Sequence, residues 1–415
     1  MKLIKPFTGL RPRRELAAKV AAHPYDVVNR EEAFELAKGN PHSFFHINKP
    51  EIDLPLSVDP HDQQVYDRGA ENLERFIEEG ILARDGEEKL YVYKQVMGAH
   101  EQVGLVAVAS LDAYDQGLIK KHEFTRPEKE DDRVYHMDTL GAQVGPVFLT
   151  YRHRPEIDAL VAQVTATEPE YDFVAPEGTR HVFWVIEDLG LSADIEAAFD
   201  QVPCLYVADG HHRSAAAARV RHMRMKRNPG HTGEESYNWF LTVLFPDNQM
   251  QILDYNRLVK DLNGLTETQY LEELEERFSV TPAANAEAAK PKHEHQFAMY
   301  LDRKWYVLDM PLSQVVRDDP VKSLDVSILQ DRLFAPVLGI HDQRRDVRVD
   351  FVGGIRGLGE LERRVNSGEW KMAFALYPTS IKSLMAIADA GEVMPPKSTW
   401  FEPKLKSGLV VHVLD

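Results

Sequence analysis

One cysteine, Cys204, stands in 415 residues. With no second thiol the chain has no internal disulfide and no cysteine-rich zinc site, and a reducing compartment is expected. Cys204 lies in the apolar run Val202–Ala208, where a thiol acts as a small buried hydrophobe rather than as a nucleophile. Positive charge is scarce beside negative. The 49 Lys and Arg against 66 Asp and Glu leave a net charge of −17, which repels phosphate backbones and argues against a nucleic-acid partner. No apolar run approaches the roughly 18 residues of a membrane span. The start, MKLIKP, lacks the apolar core and cleavage site of an export signal, so a cytoplasmic protein without a membrane partner is expected. Repeats of fixed period are missing, and so is the dinucleotide spacing G-x-G-x-x-G. Gly353-Gly354-Ile355-Arg356-Gly357-Leu358-Gly359 reads as a glycine turn.

What is present is an ordinary soluble composition, 43% hydrophobic and 28% charged, with enough length for two domains or lobes. Strand-like runs at 144–151, 181–186 and 202–208 alternate with helical stretches at 156–165 and 193–199, which favours α/β architecture. A helix over 63–79 carries Val65, Leu73, Phe76 and Ile77 near helical spacing. From about residue 238 the pattern turns antiparallel, with a hairpin over 296–310 around Asp302-Arg303. Residues 283–294 read as a solvated loop tip. The expected fold is α/β, becoming α+β in the C-terminal part: a mixed sheet with flanking helices, in two lobes around a cleft. The first lobe spans 1–245 and the second 246–415.

At the junction of one strand-like run with an alanine-rich helix stands Asp209-Gly210-His211-His212-Arg213. Ala216, Val220 and Met223, at i, i+4 and i+7, form the inward stripe of that helix. Asp209 is expected to cap it, Gly210 to let the backbone turn, and the free first-turn amides to bind an anion. Arg213 adds a fork for phosphate or carboxylate, and His211 or His212 can donate to the same anion or pass a proton. The plain alternative is a capped helix with an exposed polar first turn. Adjacent helical residues point about 100° apart, so His211 and His212 do not readily share a metal ion.

A second constellation, IKKHEFTRPEKEDDRVYHMD (residues 119–138), gathers Lys120, Lys121, His122, Glu123, Arg126, Arg133 and His136. Pro127 with the acids behind it marks the first turn of a helix, so residues 120–126 form the strand end or loop feeding it. A carboxylate among cations stays ionised, so Glu123 can act as general base toward a hydroxyl while the cations hold an anionic substrate. A solvated charged segment is the alternative, favoured for 128–132. A third stretch, MPPKSTWFEPKLKSG (residues 394–408), offers Lys397, Ser398, Thr399 and Lys404, as an anion clamp or as a terminal loop packed by its aromatics. His23-Pro24-Tyr25-Asp26 is a turn that can line a site.

The stretches FTGLRP, HPYDVV, GNPHSFFHI, EIDLP, IKKHEFTRPEKEDDR, GPVFLTYR, YVADGHHR and MPPKSTWFEPKL resemble the bacterial and archaeal domain-of-unknown-function family numbered one thousand and fifteen, over nearly the whole chain. His23 departs from it, standing where a proline or small residue is expected. The pentad also resembles the Asp-Gly-His-x-Arg phosphate-binding turn of the ParB and sulfiredoxin-like superfamily, which includes kinases of free serine. By position, that resemblance implies phosphate groups at Gly210, His211, His212 and Arg213, with Asp209 orienting the turn. Sulfiredoxin chemistry needs a cysteine where this turn has a histidine, and DNA work is disfavoured by the acidic total and the lack of a helix-turn-helix.

The implied activity is phosphoryl transfer to a small hydroxylated acceptor, most simply a free L-serine kinase or related phosphoserine-handling enzyme using ATP, ADP or pyrophosphate with Mg2+. Asp209 or Asp138 stands as a carboxylate near the ion, though no ligand set is visible and the metal residues stay unknown. Glu123, His122, Asp209 and His211 are then the catalytic candidates. Lys120, Lys121, Arg126, Arg133, His136, Lys397, Ser398, Thr399 and Lys404 are the substrate-binding ones. The alternative is a non-catalytic sensor of a nucleotide or phosphorylated metabolite.

Overall fold

The computed structural model describes residues 1–343 and 345–415. The chain forms two compact units, Met1–Met250 with Pro403–Asp415, and Gln251–Glu402. The division near residue 245 therefore falls at 250, and the last thirteen residues return to the first unit instead of completing the second.

The first unit is built on a nine-stranded mixed sheet. In chain order its strands are β1 (Ile4–Lys5), β2 (Tyr91–Met97), β3 (His100–Ser110), β4 (Ile119–Lys120), β5 (Val147–Tyr151), β6 (Tyr171–Val174), β7 (Arg180–Val185), β8 (Leu205–Asp209) and β9 (Trp239–Pro246). Across the sheet they run β4-β8-β5-β9-β3-β2-β7-β6, with β1 on β3. Two pairs are parallel: β4 with β8, in register Leu205 to Ile119, and β5 with β9. Every residue of β5 is buried, as expected of a strand covered on both faces.

The helices that matter for the site are α1 (Gln63–Glu78), α2 (Pro127–Leu140) and α3 (His211–Arg227). Pro127 occupies the first turn of α2, where its missing N–H leaves no bond unmade, and Glu128 and Glu130 favour the positive end of the helix. In α1, Val65, Leu73 and Phe76 are buried, whereas Ile77, expected on the same face, is 46% exposed. In α3, Ala216 and Val220 are fully covered, with Met223 packed at the edge of the same core.

A smaller four-stranded antiparallel sheet joins Leu82–Arg84, Gly9–Pro12, Val411–Val413 and Ala142–Gln143 in that order. Its pairing of Leu10 with Val411 and of Gln143 with His412 ties the chain's end into the first unit.

The second unit has α+β character. Its six-stranded sheet consists of β10 (Tyr255–Val259), β11 (Ser279–Ala283), β12 (Gln296–Leu301), β13 (Lys304–Asp309), β14 (Val349–Gly353) and β15 (Met372–Leu376). All pairs are antiparallel, in the order β11-β13-β12-β15-β10-β14. Asp302 and Arg303, at φ 47° and 60°, make the tight turn between β12 and β13. Residues 283–294 are not wholly a solvated tip: Ala286–Ala289 is a helical turn capped by Asn285, and Ala289 is fully buried.

Among the described residues no helix is long and apolar enough to cross a membrane.

Candidate functional site

Strands β4 and β8 lie side by side and run in the same direction, and each leads at its C-terminal end toward a helix, α2 and α3. The segments leaving parallel neighbouring strands emerge on one edge of a sheet, the usual place for a ligand in such architecture. Residues 121–126 and the turn 209–213 are therefore neighbours, though about 85 positions separate them in sequence.

The turn is shaped by two local devices. The register of β8 against β5 slips between Val207 and Asp209, so Ala208 is an extra residue that bends the strand just before Asp209. Gly210 then takes φ +99°, a left-handed conformation, and a Cβ there would stand 3.1 Å from the Arg213 guanidinium carbon.

Asp209 does not stand at the cap of α3: that position is Gly210, which has no side chain to offer the first-turn amides. Its carboxylate instead faces Lys404 Nζ at 3.4 Å and Arg213 Nη2 at 3.5 Å. Burial opposes its charge, but Lys404, Arg213 and His211 outweigh burial and hold the carboxyl below its usual range. The N-terminus of α3 thus begins at a glycine, and the first-turn amides of a helix are the groups that can bind an anion.

Arg213, expected as a fork for phosphate or carboxylate, folds back under the turn. One terminal nitrogen donates to the Pro146 carbonyl and the other faces Asp209, while buried Nε has no partner. His211 and His122 are 4% and 2% exposed, with their rings edge to face at 4.4 Å between centroids. Burial is the main cause that lowers both pKa values, His122 to about 4 and His211 well below the usual histidine value, so both rings are neutral at pH 7. The His122 amide donates to His211 Nε2 at 3.5 Å, which leaves the proton on Nδ1, 3.8 Å from the Glu123 carboxylate. His212 Nε2 accepts the Arg126 amide at 3.1 Å, joining the start of α2 to the start of α3.

Beside the turn lies a recess lined by Tyr25, Asn48, Arg133, Gly145, Arg213 and Ser407 among others. Arg133 is fixed twice over. Its guanidinium stacks on Tyr25 at 3.8 Å and bonds Asp132 through Nε and Nη2 at 2.9 and 2.6 Å. Asn48 Oδ1 is buried without a partner. Tyr25 belongs to the turn noted in the sequence, but nothing in the local pattern singled out Asn48, Gly145 or Ser407.

The other candidates are dispersed. Lys121 Nζ lies 4.3 Å from the centre of the Tyr114 ring and Lys120 Nζ 5.9 Å from that of Tyr206. Arg126 is exposed at the head of α2. His136 lines the recess but spends Nε2 on the Ile47 carbonyl at 2.9 Å. The stretch 394–408 is divided: Lys404 is in the first unit and Lys397, Ser398 and Thr399 are in the second. There Ser398 Oγ donates to the Pro395 carbonyl, and Lys397 Nζ lies 5.4 Å from the Tyr255 ring centre. Asp138 is removed from the turn. It pairs with Arg224 and Arg227 near the far end of α3, roughly 20–24 Å along the helix axis from His211.

A model of the family described as "Protein of unknown function (DUF1015)" matches residues 4–327. No curated relative matches the sequence. Solved structures similar to this chain include a free serine kinase in complex with AMP, at 15% identity and a TM-score of 0.35, covering 73% of this chain and 92% of that one. A conserved hypothetical protein from Pyrococcus furiosus is similar at 15% identity and a TM-score of 0.33, over 73% of this chain and 95% of its own. SbnI with a C-terminal truncation, from Staphylococcus aureus, is similar at 12% identity and a TM-score of 0.39, over 74% and 87%.

Proposed function

The chain belongs to the DUF1015 family, and from the residues around the Asp209–Arg213 turn we propose that it transfers a phosphoryl group from a nucleotide or pyrophosphate to a small hydroxylated acceptor, free L-serine being the first to test. The observation that carries this reading is the position of Glu123: its carboxylate stands 3.8 Å from His211 Nδ1, at the first turn of a helix whose cap residue is the glycine Gly210. A base and an anion cradle are thereby adjacent, which is what phosphoryl transfer chiefly needs.

In this reading the first-turn amides of α3 and Lys404 hold the donor's terminal phosphates, with Lys121 nearby to offset their charge. Glu123 accepts the proton of the acceptor hydroxyl as its oxygen bonds to phosphorus and the bond to the departing phosphate breaks. The His211 Nδ1–H directs the Glu123 carboxylate. The recess receives the rest of the acceptor: Arg133 suits a carboxylate, and the unpartnered Asn48 Oδ1 suits an ammonium group. Arg213 positions the turn from beneath.

Magnesium enters this scheme with the donor phosphates. The turn itself offers one carboxylate, Asp209, already engaged by Lys404 and Arg213, and that does not fit a resident octahedral magnesium site.

The test is to incubate the protein with L-serine and, separately, ATP, ADP and pyrophosphate with Mg2+, and to follow phosphoserine by mass spectrometry. Phosphoserine with one donor supports the reading. No product with any of the three overturns serine phosphorylation and favours a sensor of phosphorylated metabolites at the same turn.

A further inference from the structure

We propose that His122, Glu123 and His211 form a binding site for a divalent ion of the zinc class, distinct from any magnesium carried by a nucleotide. Each of the three offers a ligand atom, and these atoms lie within 4.8 Å of one another. Along the chain such a site is disfavoured, since His211 and His212 point apart and no second histidine or carboxylate stands at ligand spacing nearby. The partner is instead the histidine that parallel pairing of β4 and β8 brings alongside.

The decisive atom is His122 Nδ1. The imidazole is 2% exposed and near the Val207 carbonyl, which favours its charged form, while Nδ1 has no partner. Nδ1 is thus a buried, unpartnered nitrogen on a ring packed edge to face against that of His211. A buried histidine near a backbone carbonyl, with one ring nitrogen unpartnered and a carboxylate and a second histidine clustered with it, has the surroundings of a metal ligand. An unsatisfied buried acceptor is destabilising, so such an atom calls for a ligand.

The donor set selects the ion. Two neutral imidazoles and one carboxylate suit Zn2+, or Co2+ and Mn2+ after it, whereas Mg2+ prefers oxygen throughout. Tetrahedral ligands about 2.0–2.1 Å from zinc stand about 3.4 Å apart, so the cluster must close slightly. Glu123, 41% exposed, is the member with room to swing inward. His211 joins through Nδ1 once its proton moves to Nε2, which gives up only the 3.5 Å bond from the His122 amide. Three protein ligands leave a fourth position open to water or to a phosphate oxygen.

The proposal is independent of phosphoryl transfer but has a consequence for it. An ion on Glu123 withdraws the carboxylate from service as a base, so zinc bound here inhibits the transfer.

The test uses the untagged, chelator-treated full chain titrated with Co2+, followed by its visible d–d absorption and by competition with Zn2+. One equivalent of Co2+, displaced by Zn2+, is expected. Glu123→Gln and His122→Gln should each weaken the binding by roughly ten-fold or more. His222→Gln, on an exposed face of α3, should leave it unchanged. The proposal is overturned by lack of saturable one-equivalent binding, or by binding that survives Glu123→Gln. Because that residue is partly exposed, its variant stays folded and gives a readable answer even if His122→Gln does not. Phosphoserine formation is measured separately on zinc-free protein with Mg2+ supplied, so saturable zinc binding without product sinks the transferase reading alone.

Discussion

Lys404 and Asp209 are 195 positions apart in the chain, and their charged groups stand 3.4 Å apart. The contact exists because the C-terminal strand Val411–Val413 is sewn between Gly9–Pro12 and Ala142–Gln143, which carries residues 403–409 past the end of β8. The final segment of the chain thus sets the charge of the candidate site.

Lys404→Met leaves the Asp209 carboxylate with Arg213 at 3.5 Å as its remaining close cation. Because Asp209 is 29% exposed, the loss should be below that of a fully buried pair, about 1–2 kcal/mol. Urea unfolding of the full chain measures it. An unchanged midpoint would show that the pair contributes nothing to stability. Affinity for ATP or pyrophosphate should fall in the same variant.

Gly210→Ala places a methyl group at φ +99° and 3.1 Å from the Arg213 guanidinium. The left-handed penalty of about 1–2 kcal/mol adds to displacement of Arg213. Thermal unfolding should shift downward, and phosphate-donor binding should weaken more than the stability loss alone accounts for. A variant as stable as the parent would mean the turn relaxes to another conformation.

Glu123→Gln preserves shape and removes the charge. Since the side chain is 41% exposed, stability should move by no more than about 0.5 kcal/mol. Turnover of serine to phosphoserine should fall by about 100-fold or more with donor affinity retained. Equal turnover would remove this carboxylate from the proton transfer.

Buried histidines make the first unit sensitive to acid. His136 and His181 are pushed down to about 3 and His412 to about 4, burial being the main cause in each. Above the ordinary value of 6.5 neither folded nor unfolded chain protonates them, and their contribution is fully present. As pH falls below 6.5 the unfolded chain takes up protons that the folded chain refuses, so stability drops down to about pH 3–4, by up to ~1.4 kcal/mol per pH unit for each histidine. Melting temperature measured from pH 7 to pH 4 should decline, and more shallowly in His412→Gln if that variant folds. A flat profile would mean that these rings accept protons without unfolding.

Much of the site is written in short-range signals. The passage from the β-rich run ending at Ala208, through a glycine, into an alanine-rich helix is visible in residues 202–227, and Pro127 marks the head of α2 as plainly. Asp302-Arg303 likewise marks its hairpin. The same local reading erred where the outcome depended on a distant neighbour. Asp209 has the side chain of a helix cap, but Lys404 and Arg213 claim it. Ile77 has the right spacing for a buried face and lies at its exposed edge. Ala289 sits in a polar stretch yet is covered.

The sequence by itself determined which peptide units turn, coil or extend in and around the Asp209–Arg213 bend, because glycine freedom, proline geometry and side-chain branching act within a few residues. Tertiary structure alone decided what that bend meets. Laying β4 parallel to β8 placed His122 and Glu123 against His211, and threading the chain's end into the small sheet brought Lys404 to Asp209. Partners of that kind follow from which strands become neighbours, a choice made by the burial of the whole sheet and carried by no single stretch of chain.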